Sequence, residues 1–84
     1  METLVYGSLK NEGLEVVRRD DRLFLRCNAG AHTIEWREDE ISEDEFQRVV
    51  AGGASCNRVL LEIQRRLIAR DIDAFKSNWN PSLT

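Results

Sequence analysis

Hydrophobic and polar positions change period twice along the chain, and each change marks a predicted element. Leu14-Glu15-Val16-Val17-Arg18-Arg19 and Arg22-Leu23-Phe24-Leu25-Arg26-Cys27 are short, β-prone runs on either side of Asp20-Asp21. Aspartate tolerates turn geometry, so the pair predicts a tight hairpin. Leu23, Leu25 and Cys27 alternate onto one face, and Phe24 and Arg26 onto the other. Asn28-Ala29-Gly30-Ala31 reads as a second turn, and His32 to Arg37 as a third strand with Ile34 and Trp36 on one face. The result is an antiparallel meander with one apolar and one charged face.

The period then becomes helical. Ser42-Glu43-Asp44-Glu45 has the capping-box spacing: the serine hydroxyl accepts from the Glu45 N–H, and the Glu45 carboxylate accepts from the Ser42 N–H. Ile41 and Phe46 add a hydrophobic staple, and acids in the first turn suit the positive end of the helix dipole. A helix from Glu43 to about Ala51 follows, with Phe46, Val49 and Val50 inward, and Gly52-Gly53 ends it. A second helix runs from about Cys56 to Arg70, capped by Ser55 or Asn57. Val59, Leu60, Ile63 and Leu67 form its core stripe, widened by Cys56 and flanked by Leu61 and Ile68. Ile72, Phe75 and Trp79 in the tail are placed to dock on the domain.

Residues 3–12 carry Leu4 and Leu9 and read as a short helix ended by Gly13; Val5 and Gly7 make a strand the competing assignment. The expected architecture is therefore α+β: a three-stranded antiparallel β-meander packed on two C-terminal helices, with a short N-terminal helix as the open element. One domain over residues 1–80 and a loose tail over 81–84 complete it.

With 84 residues there is room for one core, and 42% hydrophobic with 32% charged residues is an ordinary folding composition. Apolar runs are too short for a membrane span. The start Met1-Glu2-Thr3 has neither a basic nor an apolar leader region, so no secretory signal is expected and the cytoplasm is the expected location. Cys27 and Cys56 then read as buried thiols rather than as a disulfide.

The net charge of −3 conceals a segregation. Glu35 to Glu45 holds seven acids and one base, whereas Ser55 to Arg70 holds four arginines against Glu62. Candidate chemistry is sparse. His32 is the only histidine, and neither cysteine stands beside it with an orienting third residue, so no catalytic residues are assigned and no enzyme is expected. Cys27, Cys56 and His32 lack metal-ligand spacing, and Glu38-Asp39-Glu40 lacks the glycine of a calcium loop. No metal and no cofactor are expected. Gly52-Gly53 without a following lysine is a helix stop, not a phosphate loop.

Function then rests on surface charge. Glu43, Asp44 and Glu45 serve the helix start, but Glu35, Glu38, Asp39 and Glu40 have no local purpose in the sequence. The first expectation is a non-catalytic protein-binding module: a bacterial or phage inhibitor or immunity-type protein that meets a basic partner through Glu35, Glu38, Asp39, Glu40 and Asp44. The alternatives are a nucleic-acid-binding regulator using Arg58, Arg65, Arg66 and Arg70, and a homodimer pairing its acidic and basic regions.

Overall fold

A computed structural model describes residues 1–30 and 32–81. The sheet has four strands, β1 (Glu2–Ser8), β2 (Leu14–Arg19), β3 (Arg22–Asn28) and β4 (Trp36–Ile41), in the order β1-β2-β3-β4 with every pair antiparallel. A single helical turn, α1 (Leu9–Glu12), joins β1 to β2, and α2 (Glu43–Ala51) and α3 (Gly53–Ala69) follow the sheet. The architecture is α+β as expected, with four strands in place of three.

The fourth strand comes from the N-terminal segment expected as a short helix. Leu4 pairs with Val17 and Tyr6 with Val16, so a bulge at Val5 resets the register. Pairing on β2 overrides the local helical preference, which survives only as α1. The Ser8 hydroxyl accepts from the Asn11 N–H, and Gly13 closes α1 in the left-handed region at φ 75°. Gly7 also has positive φ, 76°, and a Cβ there would lie 2.5 Å from the Leu14 carbonyl oxygen. Gly7→Ala should therefore cost about 2–3 kcal/mol, read as a lower urea midpoint; an unchanged midpoint would show that this strand end is free to adjust.

The hairpin between β2 and β3 forms as predicted, with Asp20 at φ 52° and Asp21 at φ 64°, the left-handed pair of a tight two-residue turn. The third strand is shifted. It runs Trp36–Ile41 rather than 32–37, so Ile34 lies exposed before it, and Glu38, Asp39 and Glu40 lie within a strand. Asn28 explains the late start: its side-chain oxygen accepts from the Gly30 and Glu35 N–H groups and holds the connection open until Trp36.

The capping box at Ser42 and Glu45 is present as read. α3 begins earlier than expected, at Gly53, with Gly52 as its N-cap rather than Ser55 or Asn57. Gly52 and Gly53 both have positive φ, so a helical hairpin turns at a joint that disfavours other residues.

The core lies between the helices and one sheet face. Val16, Leu23, Leu25 and Ile41 from the sheet meet Val49 of α2 and Val59, Ile63 and Leu67 of α3, with Tyr6, Leu14, Phe46, Cys56 and Leu60 packed around them. Ala74 from the tail joins this core, whereas Phe75 is exposed and Trp79 is half-buried. Val50, expected inward, is also exposed. No helix among the described residues is long and apolar enough to cross a membrane. Of the expected loose tail, Pro81 is half-buried and the remaining residues lie outside the described ones, as does Ala31 of the expected turn.

Candidate partner-binding surface

The sheet face away from the helices is a lattice of ion pairs. Strand register sets Glu15, Arg26 and Glu38 side by side across β2, β3 and β4. Arg26 donates to Glu38 at 2.7 Å, to Glu15 at 3.1 Å and to Glu2 at 2.7 Å. The indole of Trp79 lies 4.3 Å from its guanidinium, and Arg26 is only 8% exposed. Arg19 also bonds Glu38 and stacks on Phe24, and Arg22 pairs with Glu40. Burial pushes the Glu38 carboxyl up, but the bonds from Arg19 and Arg26 outweigh it and hold the group below the usual carboxylate range. Glu40 is likewise lowered by its bond from Arg22.

On the helix side, Arg37 is buried and grips Asp39 with two bonds, at 3.0 and 2.9 Å. It also donates to the carbonyls of Lys76 at 2.6 Å and Asp73 at 3.3 Å, which fixes the tail over Ala74. Farther on, Asn78 closes the open edge of β4: its side-chain oxygen accepts from the Glu38 N–H at 2.8 Å, its amide donates to the Glu38 carbonyl at 3.0 Å, and its own N–H donates to the Trp36 carbonyl.

Every carboxylate of the acidic segment thus has an in-chain partner. Glu35 accepts from the Ser77 N–H and the Thr33 hydroxyl, and Glu43, Asp44 and Glu45 pair with Arg18, Arg48 and Arg66. Burial raises the Glu45 carboxyl, and the Ser42 N–H and Arg66 outweigh that and lower it. Of the segment expected to face a basic partner, Glu38 and Asp39 lie on opposite faces of the sheet. Glu35, Glu40 and Asp44 are spread over its edge and the start of α2, so these residues do not form one contiguous cluster.

The candidate arginines divide differently. Arg66 bonds Glu45 and the Glu40 carbonyl. Among the described residues, Arg58, Arg65 and Arg70 have no carboxylate at ion-pair distance, whereas Arg18, Arg19, Arg22, Arg26, Arg37, Arg48 and Arg66 all do. Between Arg58 and Arg65 lies Leu61, 45% exposed, and beyond Arg65 lies Ile68, 57% exposed. Their expected place at the flank of the core is corrected: the core takes Cys56, Val59, Leu60, Ile63 and Leu67, which turns Leu61 and Ile68 to the opposite side of α3. The repeated spacing of 61, 65 and 68 was the available signal for a second stripe.

His32 is exposed, and the Cys27 thiol is pushed up to about 11 by burial and by Asp39, the opposite of an activated nucleophile. Burial raises Cys56 as well. Among the described residues no cluster of three or more His, Cys, Asp or Glu side chains could hold a metal ion.

No protein-family model matches this sequence, and comparison with curated proteins and with solved structures finds no match.

Proposed function

We propose that this protein is a non-catalytic protein-binding module, acting stoichiometrically in the manner of an inhibitor or immunity-type protein, and that it meets its partner through the solvent face of α3. One observation carries the reading. The folded chain pairs Glu38 to Glu45 with its own arginines, while Leu61 and Ile68 stand exposed beside Arg58 and Arg65, which among the described residues have no carboxylate at ion-pair distance. Arginine is enriched at binding centres, and the exposed apolar side chains beside it offer area that a partner can cover.

A basic partner at Glu38 to Glu40 would have to displace Arg19, Arg22, Arg26 and Arg37 before gaining any new pair. That is a poor exchange for a partly buried lattice. Arg58 and Arg65 on α3 hold no carboxylate among the described residues, so a partner there has no ion pair of theirs to displace.

The test uses the intact chain as bait, wild type beside a Leu61→Asp and Ile68→Asp double variant. Both sites are exposed, so the fold should persist with a combined stability change of about 1 kcal/mol. A discrete protein held by wild type and lost from the variant is the expected result. An identical retained set for both baits would remove α3 as the binding face.

A further inference from the structure

α3 carries two apolar stripes, and the second has the spacing of a coiled-coil seam. Cys56, Val59, Leu60, Ile63 and Leu67 are spent on the core. On the other side Ala54, Arg58, Leu61, Arg65 and Ile68 follow one another at intervals of four, three, four and three, and all five are exposed. That is the interval of alternating seam positions in a heptad, sustained over about 22 Å of helix. Small or apolar residues occupy one seam position, and arginine occupies the other twice.

We propose that this seam receives a helix of another protein, one that sets leucine-like side chains between Leu61 and Ile68 and carboxylates opposite Arg58 and Arg65. The proposal rests on the protein-binding reading above and adds the chemistry of the partner. Charge selects the occupant. Arg58 and Arg65 meet no carboxylate among the described residues, and the one acid within α3, Glu62, is already bonded to Arg48 at 2.5 Å. A second copy of the chain would crowd four guanidinium groups into one seam with no carboxylate facing them, so the seam works against self-pairing and in favour of an acidic helix. A nucleic-acid backbone would satisfy the arginines but leave Leu61 and Ile68 against phosphate and sugar, and the chain's net charge of −3 adds repulsion.

The probe is a labelled three-heptad peptide with leucine at one seam position and glutamate at the other, which repels itself and stays monomeric. Its companion has lysine in place of each glutamate. Titrated with the intact protein, the glutamate peptide should bind saturably and the lysine peptide at least about tenfold more weakly. Arg58→Glu with Arg65→Glu should reverse that order. Neither residue has an ion pair among the described residues, so an unaltered circular dichroism spectrum and melting curve should accompany the reversal.

Equal binding of the two peptides, or no binding of the glutamate peptide, would overturn the proposal. So would retention of duplex DNA or phosphatidylserine vesicles in its place, or a dimer in sedimentation that the arginine swap dissolves. A captured protein that needs Leu61 and Ile68 yet ignores the arginine swap would remove the acidic helix while leaving the protein-binding reading standing. Loss of both removes both.

Discussion

Arg26→Met should lower the stability of the fold by about 3–5 kcal/mol at pH 7, measured by urea unfolding. For a domain whose whole margin is of order 5–15 kcal/mol, that is a large fraction. Arg26 is almost wholly covered, and its guanidinium serves Glu2, Glu15 and Glu38 while Trp79 covers it. Methionine preserves much of the volume, so the loss reports charge: three carboxylates remain side by side with only Arg19 near enough to two of them.

The effect should depend on pH, with a definite sign. Glu38 is held below its ordinary value in the native protein, so its contribution is present above the unfolded carboxyl value of about 4.3 and is lost as pH falls through the lower folded value. In the variant, protonation relieves carboxylate repulsion instead. The gap between wild type and variant should therefore narrow below about pH 4. A gap that stays constant from pH 7 to pH 3 would mean that Arg26 acts by packing alone.

The second large effect is expected from Arg37→Met, about 3 kcal/mol, because it strands Asp39 and frees the carbonyls of Asp73 and Lys76 together. Its signature is local as well as global. The Glu38 N–H donates to the Asn78 side chain, so its hydrogen exchange reports whether the tail lies along β4. Faster exchange there, at a denaturant concentration where the sheet is intact, is the expected result. Unchanged protection at Glu38 would show that Asn78 and Ser77 hold the tail without Arg37.

These two arginines also show what was readable before folding. Alternation over 22–27 placed Arg26 on the charged face and Leu23, Leu25 and Cys27 on the apolar one, because strand period depends only on local geometry. The same logic misplaced Glu38, Asp39 and Glu40. Ile34 and Trp36 mimic an alternating strand, whereas the true strand contains a run of charges that looks like a solvated loop. Such a run is stable in a sheet only when cations face it: Arg19, Arg22 and Arg26 do so for Glu38 and Glu40 from other strands, and Arg37 holds Asp39 from within β4. No window of local sequence contains the cross-strand pairs. The balance of five acids and five bases in the first 34 residues gave no hint of them.

β1 failed for a related reason. Its residues carry a weak helical pattern, and the template of β2 outweighs a propensity difference of a few tenths of a kcal/mol per residue. Ser42, Glu45, Gly13, Asp20 and Asp21 were all legible because caps and tight turns bond within four residues of themselves.

The sequence by itself thus determined the α+β class, the β2–β3 hairpin, the capped start of α2 and the core stripe of α3. Each depends on periodicity or on bonds that reach no farther than one turn. Only the tertiary structure decided the fourth strand and the neutralisation of the acidic segment. It alone also decided which arginines stand without a carboxylate among the described residues, since charges far apart in the chain pair only once strand register and helix packing bring them within reach.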